Sequence, residues 1–232
     1  MSDPQGETRA VAERYARRGA PGRYSLLHPD VWQTVQERQR ALLKMLVRHS
    51  ATDLSTLRLT EVGCGAGGNL LELLRLGFDP ARLQGLELLP ERQAQARAVL
   101  PAATLVRLVD ASQADIAPSS QDLVFQSVVF SSLLDGRFQQ VLAERMWSWL
   151  RPGGAVIWYD FTFDNPRNPD VRGVPLARVR ELFPAGRIDA RRVTLAPPLA
   201  RIVCAWHPSL YAVFNAVPLL RTHLLAWIHK PP

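Results

Sequence analysis

Cysteine and lysine are the scarce residues of this 232-residue chain. Two cysteines, Cys64 and Cys204, form no disulfide framework and have no metal spacing, so no metal is expected and a reducing cytoplasm is the plain compartment. Lys44 and Lys230 are the only lysines, and neither follows a tyrosine by four positions. That removes the Tyr-x-x-x-Lys pair a short-chain reductase of this length needs. A long apolar run is missing too. The longest uncharged stretch, Ile202 to Leu220, contains Pro208, Asn215 and Pro218, which argue for a buried or interfacial segment rather than a membrane span. The charged N-terminus lacks the apolar core of a signal peptide.

What is present suits one globular domain: 47% hydrophobic and 21% charged residues, with no repeat, linker or low-complexity tract. The net charge of +7 is carried almost wholly by arginines spread along the chain. A nucleic-acid binder concentrates such charge on one face and interleaves aromatics, so nucleic acid is not the expected partner.

Hydrophobic periodicity predicts a helix over Val31–His49, with Val31, Val35, Leu42, Met45 and Leu46 on one face. It then predicts alternating strands and helices: strands over Leu57–Val62, Leu83–Leu86, Thr104–Val109, Asp122–Val129 and Ala155–Tyr159, with helices over Asn69–Leu76, Glu91–Val99 and Phe138–Leu150. The last helix is expected to stop at "RPGG". A helix near Leu176–Phe183 and strands near Ile188–Leu195 and Leu224–His229 complete the pattern. Such alternation predicts an α/β fold, a mostly parallel sheet with helices on both faces.

Ligands of such sheets lie beyond the carboxyl ends of the strands, and there this sequence is most informative. The stretch "EVGCGAGG" admits two frames. Gly63, Gly65 and Gly68 fit the dinucleotide spacing G-x-G-x-x-G, while Glu61, Gly63, Gly65 and Gly67 fit E-x-G-x-G-x-G. Glu87, after the second strand, suits ribose hydroxyls in either frame. Asp110, with the Ala111 and Ser112 backbone, suits the edge of an adenine. Glu61 separates the frames. A buried acid at the base of the loop needs donors; an amino-acid-bearing cofactor supplies an ammonium, whereas a dinucleotide brings a pyrophosphate that the acid repels.

The segments "EVGCGAGG", "GLELLPE", "LVDAS" and "LRPGG", in this order, resemble a class I S-adenosylmethionine-dependent methyltransferase. The resemblance covers roughly residues 57–161. It implies a single Rossmann-like domain with a seven-stranded sheet and a reversed last strand, and S-adenosyl-L-methionine as cofactor. It places Glu61, Gly63, Gly65 and Gly67 around the methionine moiety, Glu87 and Leu88 at the ribose, and Asp110, Ala111 and Ser112 at the adenine, with Gln126 completing the set. Residues 1–50 are then a helical lid and 51–232 the core.

The acceptor must be read from other segments. After the fourth strand "FQSVVFSSLLD" lacks the Asn/Asp-Pro-Pro-aromatic motif of amino-group nucleic-acid methyltransferases. The loop 160–175, rich in hydrogen-bonding side chains, suits a polyhydroxylated or anionic acceptor. With "VRELFP", "VTLAPPLAR" and "LLRTHLLAWIHK" it resembles methyltransferases encoded with bacterial surface-polysaccharide and specialised-metabolite pathways. A small-molecule or glycan acceptor, methylated on oxygen or on nitrogen, is therefore expected. The alternatives are an RNA or protein methyltransferase, a nicotinamide reductase and a cofactor-binding module without catalysis. Segment 200–222 is expected as core, as a cover over the acceptor or as a weak membrane-surface contact. Tyr15, Tyr24, Phe130, Tyr159, Asn165 and Arg167 are the candidate acceptor-binding residues. Asp160, just after the fifth strand, ranks first as general base, and His28 second.

Overall fold

A computed structural model describes residues 4–17, 22, 25–49, 53–166 and 168–232. Helices α1 (Pro4–Arg17) and α2 (Pro29–Arg48) precede the sheet. The alternating core follows as β1 (Leu59–Val62), α3 (Gly68–Leu76), β2 (Leu83–Glu87), α4 (Pro90–Val99), β3 (Leu105–Leu108), β4 (Gln121–Ser127), α5 (Gly136–Trp149) and β5 (Leu150–Phe161). The remainder is α6 (Leu176–Leu182), β6 (Arg187–Leu195), α7 (Pro197–Trp206), α8 (Leu210–Asn215) and β7 (Arg221–His229). The seven strands run in the order β3-β2-β1-β4-β5-β7-β6, and β7 alone is antiparallel to its neighbours. The expected fold is the observed one.

All four residues of β1 are buried, as expected of a central parallel strand covered on both faces. Strand alternation sorts the core into two layers. Leu59, Leu123, Phe125, Ile157, Tyr159, Leu225 and Trp227 pack with residues of α2, α3 and α4. Val62, Val124, Val156, Trp158, Leu224 and Ile228 pack with residues of α5 and α6. Trp149, Trp158 and Phe130 are the bulkiest fully buried groups of that second layer, with Phe130 and Trp158 ring centroids 4.6 Å apart.

Three local readings change. Residues 4–17, for which periodicity predicts no helix although the resemblance puts them in a helical lid, are helical; the helix seats itself through Val11 and Arg14, both buried, rather than through an apolar stripe. Strand β5 begins at Leu150 rather than Ala155, so "RPGG" lies inside it. Leu150 pairs with Gln121, the register shifts before Leu123, and Gly153 takes φ +80° there, a bulge that only the glycine accommodates without strain. Residues 202–220 do not form a buried cover. They fold into the second half of α7, then α8 and a short turn, burying Val203, Cys204 and Tyr211 while Ile202, Trp206 and Leu219 stand in solvent.

The glycine loop after β1 lies close against β2. A Cβ on Gly85 would stand 2.5 Å from Cys64 Sγ and 3.0 Å from Leu70 Cδ1. Gly85→Ala should therefore cost about 1–3 kcal/mol of overpacking, read as a lowered melting temperature. An unchanged melt would mean that this contact is loose.

Candidate active site

The turn from β1 into α3 is made of three left-handed glycines, Gly63 (φ +64°), Gly65 (φ +57°) and Gly67 (φ +84°). A Cβ on Gly63 would stand 2.7 Å from Val129 Cγ2. At Gly65 the nearest atom, Arg92 Nη1, would be 3.9 Å from a Cβ, so a side chain there would fill open space above the turn. Backbone thus comes close to whatever occupies the cradle.

Glu87, at the end of β2, holds this turn in place. Its Oε2 accepts from Gly65 N at 2.7 Å, and its Oε1 from Leu88 N and Leu89 N at 3.0 and 2.9 Å. A carboxylate offers about four acceptor directions, so room remains for one further donor such as a ribose hydroxyl. Asp110, at the end of β3, accepts from Ser112 N at 2.8 Å through Oδ1 and from Thr8 Oγ1 of α1 through Oδ2. The carboxylate expected at the adenine is therefore also where α1 is attached. Gln126 lies deeper. Its Oε1 accepts from Val129 N and its Nε2 donates to Tyr159 O, so it shapes the end of β4.

Glu61 is wholly buried at the base of the turn. Its Oε1 accepts from Asn69 Nδ2 at 2.6 Å, whereas its Oε2 has no partner. Burial pushes its carboxyl up to about 8, against the lowering influence of Asn69 and Arg38. An orphaned buried acceptor is costly until a ligand supplies a donor. The cationic amino-acid end of S-adenosylmethionine supplies one; the pyrophosphate of a dinucleotide brings only acceptors. The residues fit the first cofactor.

Helix α1 extends across this region. Glu7 accepts from Leu134 N, and its ion pair with Arg14 is largely shielded from solvent. Arg14 also donates to Ser132 O. Tyr15 OH lies 3.4 Å from Ser132 Oγ, and the Arg92 guanidinium sits 4.5 Å from the Tyr15 ring centroid. Arg17 pairs with Asp170 of the loop after β5.

Beside the Glu61 end lies a polar and aromatic cluster. Arg38 of α2 binds Glu72 at 3.1 Å and Ser127 Oγ at 3.4 Å, with its guanidinium 5.4 Å from the Tyr159 ring centroid. Tyr159 stacks on His223 at 5.0 Å, and its hydroxyl lies 2.9 Å from Thr194 Oγ1. Glu37 receives both Thr194 N and Thr194 Oγ1. Burial and the Arg38 charge lower the His223 imidazole to about 4, so it is neutral near pH 7. Val128 (φ +58°) and Thr194 (φ +64°), both β-branched, border this cluster in a conformation that such residues rarely adopt.

Several expected site residues lie elsewhere. Asp160 is wholly buried: its Oδ2 accepts from Ser131 N and its Oδ1 from Phe161 N, at 3.1 and 3.0 Å. Burial raises it to about 7 despite these donors. A carboxylate so enclosed holds the turn 130–132 and does not meet an acceptor. His28 is exposed at the start of α2, its ring bound to Gly22 O. Phe130 belongs to the core. Asn165 is on the exposed loop, whose polar groups bind one another: Asp164 accepts from Gly173 N and Asn168 from Asp170 N. Tyr24 and Arg167 lie outside the described residues. Sequence reasoning missed Arg38, Glu37, Thr194 and His223. Only Arg38 left a signal, a charge three residues after Val35 and four before Leu42 on the apolar stripe of α2.

Residues 60–158 match the sequence family described as a methyltransferase domain. No curated protein matches the chain. Among solved structures it resembles an S-adenosylmethionine-dependent methyltransferase from Mesorhizobium loti, with a TM-score of 0.59 at 17% identity, over 82% of this chain and 96% of that one. It also resembles the 1,6-didemethyltoxoflavin-N1-methyltransferase of Burkholderia thailandensis, with a TM-score of 0.68 at 17% identity, over 100% of this chain and 92% of that one. A third is the N-methyltransferase NodS of Bradyrhizobium japonicum WM9, with a TM-score of 0.64 at 18% identity, over 86% and 97%. At these identities the likenesses show the fold. Within the matched stretch, the glycine cradle and the unpartnered acid beneath it fit S-adenosylmethionine as the cofactor of a methyltransferase domain.

Two outcomes follow from the site. Glu61, raised to about 8 in the free protein, holds a proton at pH 7, so the folded state binds that proton more tightly than the unfolded state and loses stability as pH rises from about 4.5 to about 8. A ligand ammonium displaces the proton. Binding of S-adenosylhomocysteine at pH 7 should therefore release it, seen as calorimetric enthalpies that depend on the buffer, and Glu61→Gln should abolish the dependence. Equal buffer dependence in both proteins would remove the ammonium from this site. Asp160→Asn should lower stability by about 1–3 kcal/mol, because an amide nitrogen would face a backbone donor, with S-adenosylhomocysteine affinity preserved. Full stability with loss of catalytic rate would restore the base role.

Proposed function

We propose that this enzyme transfers a methyl group to a hydroxyl of a small-molecule acceptor enclosed beneath α1. The observation that supports this reading best is the fastening of α1 at Asp110, Leu134, Ser132 and Asp170. A site closed by a helix on those four points suits a small molecule, not a duplex or a folded protein. Residues 1–50 then act as the lid of a core spanning 51–232. Because Asp164, Asn168 and Asp170 of the loop 160–175 are bound within the loop or to α1, its support for a glycan acceptor weakens, and a small biosynthetic molecule is the better fit.

S-adenosylmethionine supplies a methyl carbon already made electrophilic by its sulfonium. The protein's part is alignment and, for a hydroxyl, acceptance of its hydrogen bond. Glu61, the three glycines and Glu87 would hold the cofactor. Neutral His223, fixed by the Tyr159 ring, would take the hydroxyl proton as the acceptor oxygen is methylated and release it to solvent, and burial together with the Arg38 charge would keep the imidazole uncharged beforehand. Tyr159 would then serve the acceptor only as the support of His223.

A second reading, methylation of nitrogen, draws on the Burkholderia thailandensis N1-methyltransferase, whose structure matches the whole of this chain, α1 included. One experiment separates these readings. Radiolabelled S-adenosylmethionine is offered with hydroxylated small molecules, N-heterocycles, RNA and protein in parallel. Labelling of small hydroxyl acceptors, reduced about 10²-fold or more by His223→Phe, is expected. Label in RNA or protein alone would overturn the proposal, and label confined to N-heterocycles would establish the second reading.

A further inference from the structure

The α7–α8 corner carries a combination that methyl transfer does not use. Helix α7 buries Ala200, Val203 and Cys204 and turns Ile202 (61% exposed) and Trp206 (84%) outward. Helix α8 buries Tyr211 and Asn215 and exposes Val213 (63%), and Leu219 in the next turn is 83% exposed. Single exposed apolar residues are ordinary, but a run of them marks an interaction surface. No Asp, Glu, Lys or Arg interrupts residues 202–220, while Arg201 and Arg221 stand at the two ends.

The other side of α8 faces a cavity of about 310 Å³ between α2 and β6, to which Tyr211, Ala212, Asn215 and Ala216 contribute. Its charged rim is mostly basic. Arg40, Lys44 and Arg191 form no ion pair in the described structure, and Arg48 pairs with Asp189. The cavity's second acid, Glu37, is bound to Thr194. Asn215 is 8% exposed, and its Oδ1 has no hydrogen-bond partner. The cavity thus combines cations for a phosphate with a buried acceptor for a hydroxyl, directly behind an apolar crest.

We propose that this corner docks on a bilayer rich in anionic phospholipid, with the crest entering the interface and the cavity receiving a glycerol-phosphate headgroup. An amphipathic surface of this kind binds through buried apolar area plus attraction to anionic lipid, and each basic residue near the surface strengthens the attraction. No helix among the described residues is long and apolar enough to cross a membrane, so the chain would lie on the surface. Charge complementarity favours the bilayer over a second copy, since two such basic rims would repel.

The test is flotation of the full chain with vesicles of phosphatidylcholine alone or mixed equally with phosphatidylglycerol. Partitioning should be about tenfold stronger on the anionic vesicles and should fall with added salt. Trp206→Ser with Leu219→Ser should remove most of the binding without lowering the melting temperature, because both side chains are in solvent. Lys44→Glu with Arg191→Glu should remove the preference for anionic lipid. Equal partitioning of all proteins on both vesicles, or none, would overturn the proposal. So would a dimer in sedimentation that Trp206→Ser with Leu219→Ser disperses, which would assign the crest to a second copy.

Discussion

Three backbone amides from two loops converge on the carboxylate of Glu87, and the cofactor cradle depends on that convergence. A left-handed turn of glycines has little reason of its own to keep one shape, since glycine has the most conformational freedom to lose. The Gly65 amide bound to Glu87 ties the turn to the end of the neighbouring strand, and Leu88 and Leu89 are fixed by the other oxygen of the same group. The strand register that places Glu61 beside Gly85 and Val62 beside Leu86 brings these ends together. The same acid therefore orders the site before a ligand arrives, and its remaining acceptor direction is left for that ligand.

Glu61 works in the opposite sense. Its burial disfavours the charged form in the free protein, and protonation relieves that cost. One acid is satisfied in advance and the other is left wanting. The pair makes a rigid floor with one vacant charge position, and that asymmetry distinguishes a cationic amino-acid tail from a phosphate.

Much of this was legible in the sequence. The glycine spacing is visible because only glycine tolerates those backbone angles, and Glu61, Glu87 and Asp110 stand at successive strand ends, where the topology demands site residues. Asp160 was misjudged because neighbours on a strand face opposite ways. Its sheet partner is Leu224, in the layer of Trp158, whereas Tyr159 partners Leu225 in the other layer. One position decides which of the two core layers a side chain enters. The loop 160–175 misled for a different reason. Its polar groups satisfy backbone donors within the loop, a pairing that spacing alone does not reveal. His223 and Thr194 were invisible because they meet Tyr159 only when β7 and β6 come alongside β5.

The two edges of the sheet differ in character. At one end β3 is four residues long and exposes Leu105 and Leu108. At the other end β6 runs for nine residues and presents Arg187, Arg191 and Arg192. An unpaired edge is a template on which another chain can add a strand, and brevity or charge blunts it. The long edge is the more dangerous one, and it carries the arginines. Arg191 and Arg192, which rim the cavity behind α8, thus also set like charges against any second copy that approaches this edge.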